Sequence, residues 1–397
     1  MGIQLEEVEV FHRAYLVVKK FVIYLAVILV INLIVALLGG SLGITLTAIM
    51  VALYLSEGLI IYYIIKKVIA GKAPGKAVSQ IMLMIDIILL VVFGIFLYTA
   101  YQMLSKAKMV AYPYASFFTP IVTICLAGYF SPKIEDALRE YIPYLGRRLG
   151  DALRMLIVVG SLAVGGVIIN LFTVYWFDPG MAILIALVGI RESLLRALMT
   201  FRGLSKKEEM ENIVEGLRKI FLELPSVVEV RDAWATRFGY YCYGGCKVIL
   251  SPLVHEELSE IKRYLIKRTV HAISFIIAID LKVEKADKGI VKVAVPVSDS
   301  NVVGSFDETN RFVLVSVEFP EIKIKETDTI DIAVSKHKII PAQKAKELAL
   351  RKTEVVLLKD ASDLALNELR GWFIKVCHPR SEDIEEAVKE CLAVFKK

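Results

Sequence analysis

Six stretches of the chain, at about 21–38, 43–65, 81–101, 109–130, 155–177 and 180–199, are apolar and nearly free of charge. Each approaches the roughly 20 residues that a helix needs to cross a hydrocarbon core, so the pattern predicts six transmembrane helices within residues 1–203. After Arg202 the pattern changes. Ile213, Leu217, Ile220 and Phe221 share one face of a helix over 205–222, which Leu224-Pro225-Ser226 ends. Val227–Phe238 and Tyr240–Leu250 are rich in β-branched and aromatic residues around Gly239 and Gly244-Gly245. His255–Ala272 reads as a second helix and Phe275–Val283 as a third strand. The order α-β-β-α-β over 204–286 predicts a small α+β domain, a sheet covered by helices on one face. Beyond a lysine-rich link at Lys285–Gly289, strand patterns at 291–297, 312–317 and 355–358 alternate with helices at about 342–352, 361–370 and 381–395. Residues 289–397 therefore read as an α/β domain.

Hydrophobic residues make up 56% of the 397, aromatic residues 10% and charged residues 23%, with a mean hydropathy of +0.60. That excess excludes a disordered chain and a purely soluble one. The net charge of +6 does not point to nucleic acid, because basic residues flanking membrane spans account for it. The expected partner is the lipid bilayer. Arg13, Lys19 and Lys20 precede the first span, Lys66, Lys67, Lys72 and Lys76 lie between the second and third, and Lys133, Arg139, Arg147, Arg148 and Arg154 lie between the fourth and fifth. The opposite loops hold only Lys106 and Lys108. Positive charge stays on the cytoplasmic side, which predicts a multi-pass protein of the cell membrane with both termini cytoplasmic. Glu6, Glu7 and Glu9 precede the first span and no small-residue cleavage site follows it, so it reads as a retained anchor.

Charges inside the spans carry the chemistry, since an ionised group in hydrocarbon costs several kcal/mol and faces a partner or a water path. These are Glu57, Asp86, Arg191 and Glu192. Arg191 is expected to snorkel to the interface, and Asn32 and Asn170 to bond neighbouring helices. Five cysteines, Cys125, Cys242, Cys246, Cys377 and Cys391, are too few and scattered for a disulfide framework, which favours an intracellular soluble half. Cys242 and Cys246 read as two small hydrophobes at a turn. Cys377-His378 at a strand end offers a thiolate and an imidazole that could hold iron, against the plainer case of a packed cysteine beside a surface histidine. His12, His255, His271 and His337 have no ligand-like companions, and no Walker loop, dinucleotide fingerprint or nucleophile elbow occurs, so no enzyme is expected.

Six spans followed at once by an α-β-β-α-β domain resemble the cation diffusion facilitator family over residues 10–285. The most specific stretches are Trp176-Phe177-Asp178-Pro179-Gly180 with Ile183–Leu195, then Glu223–Asp232, and Gly40-Ser41-Leu42 before span two. The resemblance implies a ferredoxin-like cytoplasmic domain, a homodimer, and export of a divalent cation (zinc, iron or manganese) against protons. The family's ligand pairs, spaced by four in spans two and five, fall here on Leu53 and Glu57 counted from Pro74, or Met50 and Tyr54 counted from Ser41, and on Ala152 and Leu156 with Asp151 adjacent. Glu57 is the best remaining ligand, with Asp151 and Asp86 as contributors.

The last domain resembles the dinitrogenase iron-molybdenum-cofactor biosynthesis domains, through Ala294-Val295-Pro296-Val297, Ser305-Phe306-Asp307 to Arg311-Phe312, and Trp372–Val376. This implies a ribonuclease H-like fold and an iron-sulfur or iron-molybdenum ligand. The family's His-Phe-Gly reads Ser305-Phe306-Asp307 here, leaving Cys377 and His378 as the cofactor-binding candidates. The function this implies first is proton-coupled export of a divalent cation through a degenerate site; the alternative is a non-transporting, membrane-anchored protein that binds a metal cofactor or regulates a partner.

Overall fold

A computed structural model describes residues 9–39, 41–70, 77–106, 109–110, 113–205, 207–254, 258–273, 275–297, 303–333 and 340–396. Glu6, Glu7, Gly40, Lys72, Pro74, Lys76, Lys108, His255 and His337 lie outside them. The chain divides into two compact units, one comprising 1–214, 234–245 and 266–280, the other 215–233, 246–265 and 281–397.

The first unit is built on six long helices: α1 (Glu9–Gly39), α2 (Leu42–Ile69), α3 (Ala77–Met103), α4 (Pro113–Arg139), α5 (Pro143–Leu171) and α6 (Phe177–Ser205). Five of them, α1 to α5, are long and apolar enough to cross a membrane. The expectation of six is met only in length, because α6 carries Arg191, Glu192 and Arg196 in its second half. The fifth predicted span also shifts: α5 stops at Leu171, and Thr173 in the following turn has a positive φ of 70°. The outward faces are apolar, with Ile23, Val27, Val30 and Ile34 of α1 and Ile81, Met84, Ile88, Val91 and Ile95 of α3 all exposed. Apolar surface on this scale suits lipid, and the arrangement is consistent with a multi-pass membrane protein.

Two of the motifs singled out in the sequence meet here. Ser41 donates from Oγ to Asp178 Oδ1 at 2.8 Å, and the Leu42 amide donates to Asp178 Oδ2 at 3.2 Å. A carboxylate at the start of α6 thus satisfies the otherwise unpaired N-terminus of α2 and complements its dipole.

The α-β-β-α-β series follows the predicted order: α7 (Lys207–Leu222), β1 (Val227–Phe238), β2 (Tyr241–Leu250), α8 (Leu258–Ala272) and β3 (Ile276–Lys285), with the strands ordered β1-β2-β3. Cys242 and Cys246 are buried within β2 itself, so the expected turn between them is absent. Gly245 leaves the room the Trp234 ring needs, since a Cβ there would come within 2.8 Å of it.

The C-terminal sheet of β4 (Gly289–Pro296), β5 (Arg311–Phe319), β6 (Lys323–Asp331), β7 (Thr353–Leu357) and β8 (Lys375–Cys377) has the order β6-β5-β4-β7-β8. The β6-β5-β4 part is antiparallel, and β7 and β8 run parallel. Helix α11 (Ile384–Val394) covers one face through Ala387, Val388 and Leu392, while α9 (Ile340–Leu350) and α10 (Asp363–Gly371) cover the other through Ala345, Leu348, Ala365 and Leu369. Strand β6 is missed by the apolar pattern because it is a charged, exposed edge, with Lys323, Lys325, Glu326 and Asp328, a composition that discourages further strand pairing. The cysteine count also misleads: Cys377 of β8 and Cys391 of α11 form a disulfide with Cα atoms 6.1 Å apart.

One polar pair in this unit has a pH consequence. Glu354 is 7% exposed, and burial pushes its carboxyl up to about 8 against the partial relief of a Ser251 hydrogen bond. Burial pushes Lys352, whose Nζ donates to the carbonyls of Leu222, Leu224 and Val227, down to about 8. The folded chain therefore holds the Glu354 proton more tightly than the unfolded chain between about pH 4.5 and 8, and stability falls as pH rises through that window. Lys352 acts in the opposite sense above pH 8. Amide exchange in β7 should accelerate from pH 5 to 8 beyond the intrinsic base-catalysed rate, and Glu354→Gln should flatten that excess; an equal excess in the variant would contradict the assignment.

Candidate functional site

The α6 sequence places Ile185, Gly189, Glu192, Ser193, Arg196 and Thr200 on the face that packs inward, at the three- and four-residue spacing of one helix stripe. Small residues let the helices approach; the charged ones must find partners. Arg196 is fully buried and lies between two carboxylates from different helices. Its Nη1 is 3.1 Å from Glu57 Oε2 of α2, and its Nη2 is 3.0 Å from Asp86 Oδ1 of α3. Nη1 also donates to the Leu53 carbonyl at 3.3 Å. Glu57 is 2% exposed and Asp86 0%. The pair with Asp86 is ionic without hydrogen-bond geometry, and neither Asp86 oxygen has a hydrogen-bond partner among the described residues.

A segment from the α-β-β-α-β series completes this cluster. The β1–β2 turn is made by Gly239, with a φ of +50° that suits glycine, and Tyr240. Tyr241 OH donates to Glu57 Oε1 at 2.5 Å. Burial and the nearby Glu57 charge push the Tyr241 hydroxyl well above the usual phenol range, so it keeps the proton it donates. Around it, the Gly239 amide donates to Thr200 Oγ1 at 2.7 Å, Ser79 Oγ donates to the Arg237 carbonyl at 3.0 Å, and Tyr144 OH donates to the Tyr240 carbonyl at 3.1 Å. Arg148 of α5 pairs with Glu192 at 2.6 Å and lies 3.6 Å over the Tyr240 ring. Gly203 allows the close approach, since a Cβ there would stand 2.5 Å from Arg237 Cβ. The turn is tied to four helices by hydrogen bonds and a cation–π contact.

Of the three expected metal ligands, Glu57 and Asp86 are thus brought to one cluster, but with a guanidinium between them. Asp151 is not part of it: it accepts from Arg154 at 2.8 Å on a half-exposed surface, where Arg154 also binds Glu135. Among the described residues, no three His, Cys, Asp or Glu side chains are grouped as a metal ion requires. Arg191 is exposed, as expected of a snorkelling residue, while Asn32 donates to Thr123 Oγ1 at 3.1 Å and Asn170 accepts from the Val110 amide at 3.0 Å. Arg196 is the residue that the sequence reading missed. Its inward stripe with Gly189 and Thr200 is the signal that could have found it.

In the C-terminal sheet, the loop at Ser305-Phe306-Asp307 is closed by the protein's own groups. Lys344 is buried and donates to the carbonyls of Phe306 (2.8 Å), Asp307 (3.1 Å) and Thr309 (2.8 Å). Asp307 accepts from the Ser362 amide at 2.6 Å and from its hydroxyl at 3.0 Å, at the start of α10. Phe306 is buried against Phe312. His378 Nδ1 sits 3.0 Å from the Leu358 carbonyl, beside the disulfide-bonded Cys377.

Residues 289–394 match the family described as dinitrogenase iron-molybdenum cofactor. Over this stretch the chain is similar to that family. The match takes in well under half of the chain, and no cation diffusion facilitator match accompanies it. A solved structure titled "Crystal structure of PH0822" is 17% identical over 26% of this chain and 92% of its own, with a TM-score of 0.23. No curated protein matches the chain. The described residues of the cofactor domain do not fit an iron-sulfur or iron-molybdenum group. The thiolate a soft metal needs is tied in a disulfide, and the loop bearing the family's histidine position is occupied by Lys344.

The Arg196 cluster sets a stability prediction. Arg196→Met leaves two carboxylates buried without a counter-charge and should cost about 3–5 kcal/mol in detergent unfolding. Adding Glu57→Gln and Asp86→Asn to that variant should recover most of the loss. Tyr241→Phe should cost about 2 kcal/mol, as a bond to a charged group is lost. An Arg196→Met protein as stable as the parent would show that the ion pairs do not hold the helices.

Proposed function

We propose that the chain is a membrane-anchored regulatory or scaffolding protein that does not carry divalent cations through its helices. In this account α6 is the sixth span despite its charges, because Glu192 and Arg196 are paired internally, and both termini are cytoplasmic by the placement of lysine and arginine. The observation that carries the proposal is the guanidinium of Arg196 between Glu57 and Asp86. A divalent ion bound there would have to displace a tethered cation whose neighbouring carboxylate, Glu192, is already paired with Arg148. Tyr241 on Glu57 adds a second obstacle, since it takes the oxygen that Arg196 leaves open. The sheet order β6-β5-β4-β7-β8, three antiparallel strands followed by two parallel ones, supports a ribonuclease H-like reading of the last domain. Its role is then recognition of a partner and not metal chemistry. A homodimer is carried only by the likeness to cation efflux proteins.

The transport reading keeps one specific support. Asp86 is wholly buried and, among the described residues, neither of its oxygens has a hydrogen-bond partner, so it is the acid of this cluster held least firmly. Reconstituted vesicles with an imposed proton gradient separate the two. The proposal expects zinc, manganese and ferrous iron fluxes no greater than in protein-free vesicles, for the parent and for Glu57→Gln alike. A flux present in the parent and abolished by Glu57→Gln would establish transport instead.

A further inference from the structure

The end of the α4–α5 hairpin holds a cavity of about 420 Å³, in the size range of small-ligand sites. It is lined by Glu135, Asp136 and Arg139 from the last turns of α4, Tyr144 and Arg147 from the first turns of α5, and His271 from the last turn of α8. The charges are not balanced within it. Glu135 is neutralised by Arg154, which lies outside the lining and also holds Asp151. Tyr144 spends its hydroxyl on the Tyr240 carbonyl. Arg139 and Arg147 are both exposed, and neither has an acidic partner among the described residues. Asp136 is the one carboxylate of the lining left to oppose them, while Glu140 in the adjoining turn faces Lys267 at 3.8 Å.

Placement decides what such a pocket would meet. Both helices are apolar enough to span a bilayer, and their charged residues gather at this end. Two unpaired guanidinium groups at that boundary match the forked geometry by which arginine holds phosphate. We infer that the cavity binds the phosphate of an anionic phospholipid headgroup, with Arg139 and Arg147 as its ligands and the hairpin tip fixed against the leaflet. The inference rests on the multi-pass reading and is independent of whether the helices transport anything.

Native mass spectrometry of the full chain in detergent tests it, using phosphatidylglycerol, phosphatidylcholine with the same acyl chains, and inorganic phosphate as probes. Phosphatidylglycerol should be retained over phosphatidylcholine. Arg139→Gln with Arg147→Gln should weaken its retention by about thirtyfold, two surface charges facing an anionic lipid. Phosphatidylcholine retention should stay unchanged, which reports that the variant folds. Asp136→Asn should tighten phosphatidylglycerol. Equal retention of the two lipids, or a double variant that binds phosphatidylglycerol like the parent, would overturn the site. Displacement of the lipid by inorganic phosphate at matching concentration would likewise overturn it, by assigning the pocket to a free anion.

Discussion

A buried arginine holds the first unit together. Arg196 is the largest fully buried side chain among the described residues, and a guanidinium in a dry interior is tolerated only when its charge is matched nearby. Glu57 and Asp86 supply that match from α2 and α3, so one residue of α6 fixes the relation of three helices. The same contact governs the functional question. Two acids in the interior of a helical bundle invite a metal ion, and a cation built into the chain already neutralises them.

Around that contact the helices and the β1–β2 turn depend on one another. Tyr241 satisfies the second oxygen of Glu57, and Arg148 pairs with Glu192 beneath the Tyr240 ring. Each partner is itself buried or half-buried, so its removal strands another polar group. Cooperative networks of this kind rigidify a structure when every member is satisfied. Of the three acids in this cluster, Asp86 is the one without a hydrogen bond among the described residues, which makes it the softest member and the point at which a transport function would have to enter.

Much of this was legible in the sequence. The apolar runs give the long helices, and the β-branched and aromatic runs give β1 to β5 and β7 in order. Glu57, Asp86 and Glu192 stand out as charges within apolar runs. What hydropathy cannot deliver is pairing. Arg196 lies near the end of its apolar run and so resembles an interfacial residue; only its inward stripe with Gly189 and Thr200 betrays burial. Asp178 and Ser41 are visible as motifs, but their contact spans 137 positions. Strand β6 escapes because an exposed edge needs no apolar alternation. The Cys377–Cys391 bond escapes because counting cysteines says nothing of which two face one core. Lys344 likewise looks like a surface lysine of α9 until the three carbonyls it caps are in view.

Equilibrium binding of cadmium or zinc to the purified full chain tests the central claim most directly, with Glu57→Gln/Asp86→Asn and Arg196→Ser as companions. If Arg196 occupies the place between the acids, the parent shows no stoichiometric binding that depends on Glu57 and Asp86, and Arg196→Ser gains one. Stoichiometric binding by the parent that disappears when Glu57 and Asp86 are neutralised would contradict the account.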